Sequence, residues 1–290
     1  MPIREYFKNK VVIITGASSG IGLATARLLA DYQSKVVLAA RSEDKLENIT
    51  QELSKKTSAI YVKTDVQIEQ DCANLIEQTI KEFGRIDILI NNAGISMRAL
   101  FKDLDLSVIK RLMDVNFWGT VYCTKYALPY LLESKGSVVG VISIAGFKGL
   151  PGRTGYSASK FAIYGFLDTL RSEHLYDGLH VMIFAPGFTA SNIRKMALDA
   201  NGNEQGETPR DESKMMSAER VAYIMARNIK HRTQRTTLTP IGKALIVLTR
   251  LCPRIIDHLQ YHYMSKEPDS PIKKHSLIMA FIRNRNRMAS

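Results

Sequence analysis

The feature that most limits the possible folds is a glycine-rich turn between a β-rich run and a helical pattern. Residues 11–14 are all β-branched, which favours a buried strand, and residues 23–32 have the apolar spacing of a helix. Glycines let the backbone approach a pyrophosphate, and the N–H groups at a helix start can bind it. The spacing is G-x-x-x-G-x-G instead of the general G-x-G-x-x-G, but the flanking strand and helix still predict a dinucleotide site. The turn consists of Thr15, Gly16, Ala17, Ser18, Ser19, Gly20, Ile21 and Gly22.

The rest of the chain alternates between β-rich runs and helical patterns. Strands are predicted at residues 11–14, 35–40, 60–64, 86–90, 138–142, 180–184 and 236–239. Helices are predicted at residues 23–32, 42–55, 69–83 and 218–230, and one or two helices are predicted within residues 107–132. A further helix is predicted to contain Tyr156 and Lys160 and to run to about residue 176. Such alternation is typical of βαβ units. We therefore expect an α/β fold, a single doubly wound Rossmann domain with a parallel seven-stranded sheet and a C-terminal helical extension.

The length and the patterning predict where these parts begin and end. At 290 residues, one large domain is expected. Residues 1–240 are predicted to form it, and residues 241–290 to form a basic amphipathic extension. Residues 188–216 have little regular apolar spacing, which is typical of a lid or a mobile loop.

The end of the second predicted strand indicates which dinucleotide is bound. In folds of this kind, an acid about 20 residues past the glycines binds the ribose 2′-hydroxyl of NAD, whereas an arginine accommodates the 2′-phosphate of NADP. The chain has Arg41 and Ser42 there and no acid. Glu43 and Asp44 follow, in what is predicted to be the first turn of the next helix. We therefore expect NADP(H) in preference to NAD(H).

Tyr156 and Lys160 are a candidate acid/base pair, because residues four apart share one face of a helix. A phenol normally titrates near pH ~10, and a nearby cation lowers that pKa. The pair can thus be tuned for proton transfer. The same spacing also occurs on many solvated helix faces, so other motifs must support this interpretation.

Further candidates follow predicted strands or interrupt a predicted helix. Asn116 and Gly119 are unfavourable within the helical pattern of residues 107–132, and such local conflicts often mark functional sites. Ser143 follows the fifth predicted strand. Other candidates near strand ends are Asp65, Val66, Asn92, Ala93, Gly94, Pro186, Gly187 and Thr189.

The composition limits the compartment and the partners. Three scattered cysteines favour reduced thiols and an intracellular, cytoplasmic protein. His258 and His262 lack the glutamate of a zinc-protease helix, so no metal site is expected. Residues 227–290 contain thirteen Lys or Arg and three Asp or Glu, within a chain of net charge +12. This charge suggests an anionic membrane surface rather than nucleic acid, and a solvated basic tail is the simpler alternative.

Taken together, the motifs resemble the classical short-chain dehydrogenase/reductase family over about residues 10–190. Beyond residue 190 the chain is loosely similar to the branch that contains microsomal 11β-hydroxysteroid dehydrogenase and its membrane-associated relatives. Many NADP-dependent members have a basic residue within the glycine turn, where this chain has Ser18 and Ser19. The residues that carry the resemblance are Thr15, Gly16, Gly20, Gly22, Asn91, Asn92, Ala93, Gly94, Asn116, Ser143, Tyr156, Lys160, Pro186 and Gly187.

The resemblance implies an oxidoreductase that moves hydride between NADP(H) and a carbonyl or secondary alcohol. Tyr156 would be the general acid in reduction and the general base in oxidation, and Lys160 would lower its pKa and bind the nicotinamide ribose. Ser143 would hydrogen-bond the substrate oxygen, and Asn116 would hold a water in a proton relay. A homodimer or homotetramer is expected.

The substrate is expected to be an apolar ketone or alcohol, steroid-like or lipid-like, in a pocket drawn from residues 146–152 and 188–216. A 3-ketosphinganine-type lipid reductase is an alternative enzyme. An NADP(H)-binding scaffold that docks on membranes is an alternative from another class, although the complete catalytic set favours an enzyme.

The C-terminal extension has an apolar stripe with two possible uses. Pro253 must break or restart its helix. A basic amphipathic helix can lie on an anionic bilayer, in peripheral contact. It can equally pack on its own domain or on a second subunit. Residues 277–282 are apolar but too few to span a membrane. The stripe consists of Leu245, Leu248, Cys252, Ile255, Ile256 and Leu259, with Arg250, Arg254 and His258 between them.

Overall fold

The computed structural model describes residues 1–189, 192–208, 211 and 215–273. The remainder of the predicted lid and residues 274–290 of the predicted extension, including 277–282, lie outside the described residues. The strands are β1 (Val11–Thr15), β2 (Lys35–Ala40), β3 (Ala59–Lys63), β4 (Ile88–Asn91), β5 (Ser137–Val141), β6 (His180–Ala185) and β7 (Arg235–Thr237). They form one seven-stranded sheet in the order β3-β2-β1-β4-β5-β6-β7, with parallel pairing throughout. This confirms the predicted fold class.

Helices connect the strands at nearly all of the predicted places. Residues 107–132 were predicted to contain one or two helices, and a π-helical segment, Met113–Trp118, divides them into two. The short first helix was not predicted, because one turn around the buried Phe7 is too short to show a period. The α-helices are α1 (Ile3–Phe7), α2 (Gly20–Asp31), α3 (Glu43–Ser54), α4 (Glu69–Phe83), α5 (Leu106–Leu112), α6 (Gly119–Glu133), α7 (Thr154–Glu173), α8 (Ala218–Lys230), α9 (Pro240–Leu251) and α10 (Pro253–Ser265).

Two apolar cores lie on the two faces of the sheet. Successive side chains of a strand point to opposite faces. In β1, Val11 and Ile13 therefore join one core, which contains residues of α4, α6 and α7. Val12 and Ile14 join the other core, with residues of α2, α3 and α8. Because helices cover both faces, the five inner strands β1, β2, β4, β5 and β6 are almost wholly buried, as is usual in parallel sheets. The edge strands β3 and β7 are more exposed.

The C-terminal part forms two helices that meet at Pro253. Both α9 and α10 begin with a proline, which is favourable where no intrahelical hydrogen bond is needed. The side chain of Thr239 caps α9 by accepting a hydrogen bond from the backbone N–H of Gly242. Over the described part of the chain, no helix combines the length and the apolar character needed to cross a bilayer.

Candidate active site

The candidate site lies at the carboxyl edge of the sheet, between β1 and β4. From β1 the chain moves outwards to β2 and β3, and then returns to β4 on the other side of β1. In open α/β sheets, ligands bind outside the carboxyl ends of the strands at such a reversal. The predicted residues that follow β1, β4, β5 and β6 therefore come together here.

The glycine turn is shaped by close contacts that exclude side chains. Gly16 and Gly20 have positive φ angles of 65° and 53°, which glycine adopts without strain. A Cβ on Gly22 would lie 2.3 Å from the carbonyl oxygen of Gly16. Beneath the turn, Thr15 Oγ1 accepts hydrogen bonds of 3.0 Å from the backbone N–H groups of Asn92 and Ala93. Thr15 thus joins the glycine turn to the end of β4.

Two adjoining cavities share the wall residues Ile21, Asn92 and Gly94. Thr15 and Gly22 lie beneath them, and the other predicted cofactor residues line their walls. The cavity on the β2 side is lined by Gly16, Ser18, Ser19, Gly20, Arg41, Ser42, Asp65, Val66 and Ala93 among others. The cavity on the β5 side is lined by Ser143, Tyr156, Lys160, Pro186, Gly187 and Thr189 among others.

The first turns of α7 place Tyr156 and Lys160 in the second cavity, beside Ser143. Lys160 is buried and donates a hydrogen bond of 3.0 Å to the carbonyl oxygen of Val141. Its Nζ lies 5.8 Å from the centre of the Tyr156 ring. Tyr156 and Ser143 line the same cavity. One wall therefore presents two hydroxyl groups, with an amine buried behind them.

Asn116 is completely buried within the π-helical segment and supports the site from below. Its side chain accepts a hydrogen bond of 2.8 Å from Ile95 N and donates one of 3.0 Å to Ile95 O. It also donates one of 2.8 Å to Ser159 Oγ on α7. A Cβ on Gly94 would lie 3.0 Å from Asn116 Oδ1 and 3.3 Å from Lys160 Nζ, so this corner is tightly packed.

The pKa values differ from the sequence expectation. The Tyr156 ring packs on a small apolar cluster, and burial raises the pKa of Tyr156 above its ordinary value of 10.0. The hydrogen bond from Ser143 and the charges of Arg153 and Arg194 oppose this rise less strongly. Burial lowers the pKa of Lys160 to about 8. Lys160 was expected to lower the Tyr156 pKa, but here desolvation prevails and the two arginines supply the opposing charge.

The cavity is lined both by residues from the two stretches that were predicted to form a substrate pocket and by two residues that were not predicted. Leu150 comes from the predicted stretch 146–152, and Phe188 and Arg194 come from the predicted stretch 188–216. Met264 and Glu267, from the predicted extension, also line the wall. No local signal in the sequence marks these two, because they reach the site from more than 100 positions away along the chain.

Comparison with known proteins supports the assignment that the fold and the site suggest. The family model described as short chain dehydrogenase matches residues 10–202. The chain belongs to this family and is an oxidoreductase that acts on CH–OH groups with a nicotinamide dinucleotide.

Its relatives include proteins of the predicted branch. The dehydrogenase/reductase SDR family member 7B of Rattus norvegicus is 33% identical over 276 residues, which are 92% of this chain and 85% of the relative. The 11-beta-hydroxysteroid dehydrogenase-like 4A of Arabidopsis thaliana is 34% identical over 255 residues, which are 87% and 84% of the two chains. These similarities confirm the resemblance stated from the sequence.

Solved structures share the fold at lower identity. A short chain dehydrogenase/reductase from Burkholderia phymatum, in complex with NAD, has a TM-score of 0.77 and is 23% identical, with 86% of this chain and 96% of that chain covered. An alcohol dehydrogenase from Thermococcus sibiricus, complexed with 5-hydroxy-NADP, has a TM-score of 0.71 and is 24% identical, with 79% and 95% covered.

Proposed function

We propose that this protein reduces apolar ketones, or oxidises the corresponding secondary alcohols, with NADP(H), and that Tyr156 transfers the proton. The observation that carries the proposal is the placement of the Tyr156 and Ser143 side chains in one cavity that adjoins the glycine turn. Two hydroxyl groups can then converge on one substrate oxygen, next to the position of the cofactor.

The residues around the glycine turn fit a dinucleotide. Among the described residues, no side chain caps the start of α2, so its first N–H groups can bind a phosphate. The turn offers a concave backbone surface at which a side chain on Gly22 would collide with Gly16. Ser18 and Ser19 line the same wall and can add hydroxyl donors. When bound, the cofactor supplies or accepts the hydride.

The pKa values support distinct roles for Tyr156 and Lys160. Because burial raises the Tyr156 pKa, the phenol is protonated at neutral pH, which is the form that a general acid needs in reduction. Ser143 would donate to the same substrate oxygen as negative charge develops on it. With a pKa of about 8, Lys160 is mostly charged at neutral pH and would bind the ribose. The water-holding role of Asn116 stays a prediction.

The preference for NADP(H) over NAD(H) rests on Arg41. Arg41 and Ser42 line the far end of the cavity on the β2 side, at the end of β2. Lys45 lies on the same wall and adds a second positive charge. This pair of cations suits a 2′-phosphate, whereas the carboxylate that would bind a 2′-hydroxyl is missing from the end of the strand.

Arg41→Ala tests this preference. The variant should weaken NADPH binding by roughly 1.5–3 kcal/mol, the scale of a hydrogen bond to a charged group, and leave NADH binding nearly unchanged. Fluorescence titration of both cofactors measures the two effects, with Arg4→Ala in the exposed first helix as the control. Equal losses for NADPH and NADH would contradict the role of Arg41.

The substrate proposal rests on the apolar side chains of the second cavity and on a relative. Leu150, Phe188, Ile193 and Met264 line its outer part. One relative carries the name of an 11-beta-hydroxysteroid dehydrogenase, which makes a steroid-like or lipid-like ketone a reasonable class. The alternatives are a 3-ketosphinganine-type reductase and a non-catalytic NADP(H)-binding scaffold. Peripheral contact with a membrane surface inside the cell, and assembly into a homodimer or homotetramer, belong to the same proposal.

Tyr156→Phe tests the proposed reaction. Loss of the phenolic proton should lower turnover of apolar ketones by at least about 100-fold, the range of general acid catalysis, while the NADPH dissociation constant changes little. NADPH oxidation with a panel of steroid and long-chain ketones provides the measurement, with Tyr122→Phe on α6 as the control. Turnover close to normal would refute the role of Tyr156, and an inactive wild type across the panel would favour the scaffold.

A further inference from the structure

The helix α10 has two different faces. Ile255, Leu259 and Tyr263 are each about half exposed on the outside. Ile256, Gln260 and Met264 follow the same four-residue spacing but are more than nine-tenths buried. Met264 reaches the cavity that contains Tyr156 and Ser143. One helix therefore connects the outer surface of the protein to the substrate end of the site.

A buried group of charges fastens the turn that follows α10. The side chain of Glu267 is 5% exposed, and its Oε2 lies 3.2 Å from Arg153 NH2 and 3.6 Å from Arg98 Nε. Arg98 also donates a hydrogen bond to the carbonyl oxygen of Pro268. Arg153 directly precedes α7, two turns or less from Tyr156 and Lys160. A single carboxylate thus joins the C-terminal turn to the base of the helix that carries the candidate catalytic residues.

Buried residues on both sides of Glu267 reinforce this attachment. Ser265 and Ile272 are buried, at 1% and 5% exposure. A Cβ on Gly152 would lie 3.5 Å from the Pro271 side chain, so the turn packs on the loop that precedes α7. At the other end of the loop, Lys148 forms an ion pair with Asp257 of α10. The loop is held at two points by the C-terminal part.

We propose that Glu267 is a positioning residue and that Met264 determines substrate size. Glu267 holds the C-terminal turn against Arg153 and Arg98, and this keeps the Met264 side chain in the wall of the cavity that contains Tyr156. The part of the chain after residue 240 is therefore a component of the substrate site rather than only an attachment surface. The inference rests on the proposed ketone reduction and names the residues that select among ketones.

The Glu267 part is tested by hydrogen exchange, which needs no substrate. In the NADPH-bound enzyme, Glu267→Gln should leave Arg98 and Arg153 without their carboxylate and increase amide exchange in residues 253–265 by about tenfold or more. Asp269→Asn, two positions along in an exposed part of the turn, is the matched control and should match the wild type. Equal exchange in Glu267→Gln and the wild type would overturn the positioning role.

The Met264 part is tested by ligand binding, which needs no turnover. The probes are a long-chain methyl ketone and cyclohexanone, with dissociation constants measured for the NADPH complex. Met264→Ala should change the ratio of the two constants by about fivefold or more, because a side chain that touches only the larger ligand is lost. Met225→Ala, at an equally buried methionine in α8, is the control and should leave the ratio unchanged.

The outcomes separate this inference from the proposed function. An unchanged ratio in Met264→Ala would overturn the size-determining role, even if Tyr156→Phe has the expected defect. An inactive wild type would refute the proposed reaction, while the exchange experiment would still decide the role of Glu267. If Glu267→Gln does not fold, Arg98→Gln removes the other side of the contact and should give the same increase in exchange.

Discussion

His180, at the start of β6, is a histidine that its surroundings keep neutral. It is 4% exposed. Its Nδ1 lies 3.0 Å from Ser137 Oγ and its Nε2 lies 3.1 Å from the carbonyl oxygen of Thr233. The neutral ring satisfies both contacts if Nε2 donates and Nδ1 accepts. Burial lowers the pKa of His180 from 6.5 to about 4.

This pKa predicts a loss of stability in acid. Between pH 6.5 and about 4, the unfolded chain binds a proton at His180 that the folded chain does not bind, so the free energy of unfolding falls as the pH falls. Once the pH is below both pKa values, the free energy of unfolding is lower by about 3 kcal/mol because of His180. Urea unfolding across this range measures it. His180→Asn should remove most of this dependence on pH, whereas His231→Asn, at an exposed position, should leave it unchanged. If the free energy of unfolding changes with pH equally in the wild type and both variants, the assignment to His180 is contradicted.

The sequence was sufficient to predict that the candidate site residues lie together, but not to predict their pKa values. The spacing of Tyr156 and Lys160 and the position of Ser143 after a strand are local features, and the structure places all three in one cavity. The Tyr156 pKa depends on how deeply the ring is buried and on Arg153 and Arg194, which tertiary packing brings close. Distances of this kind are not encoded in the spacing of a motif.

The π-helical segment between α5 and α6 shows how one element supports the site. Segments of this type often occur at functional sites. Here the segment places the Asn116 side chain against Ile95 in the loop after β4 and against Ser159 in α7. The unfavourable Asn116 and Gly119 indicated a special position within a predicted helix, but not the type of helix. The widened turn is decided by these long-range contacts.

Asn116→Ala should therefore destabilise the whole domain. The substitution removes the hydrogen-bond partner of the partly buried N–H and C=O groups of Ile95. A fully buried group left unpaired costs about 1–3 kcal/mol, and these two groups are only partly buried, so a total loss of about 2 kcal/mol is expected. Urea unfolding at neutral pH provides the measurement. Asn48→Ala, on the exposed side of α3, should change the free energy of unfolding by less than about 0.5 kcal/mol. Equal stability of the two variants would show that Asn116 does not hold the loop.

At the scale of the whole molecule, the sequence predicted the sheet well and the role of its C-terminal part poorly. Parallel pairing follows from alternating βα units, and the break at Pro253 follows from proline chemistry. The contacts of Met264 and Glu267 with the cavity connect positions that are far apart in the chain, and the apolar stripe alone could not reveal them. A truncation after residue 239 would remove these contacts. Point substitutions are therefore needed to examine the exposed surface of α9 without disturbing the cavity.

The exposed surface of α9 combines apolar side chains with positive charge. On α9, Ile241 is 82% exposed and Leu251 is 71% exposed. Lys243 and Arg250 are exposed on the same helix. At a bilayer, apolar side chains leave water at about 25 cal/mol per Å². Each basic residue near an anionic surface adds about 1 kcal/mol. From these two effects together, we predict reversible binding to anionic bilayers.

Ile241→Glu combined with Leu251→Glu should reduce binding to phosphatidylserine vesicles by at least about tenfold, because apolar area is lost and negative charge is added. Vesicle co-sedimentation measures the binding. Added salt should weaken the binding of the wild type, because charges are screened within about 8 Å at 0.15 M. Tyr176→Glu, at a 96% exposed position before the amino end of β6, is the control and should bind normally. NADPH-dependent turnover of cyclohexanone should be unchanged in both, because neither substitution touches the cavity. If the wild type never binds vesicles and the double variant changes its oligomeric state, the face is a subunit interface.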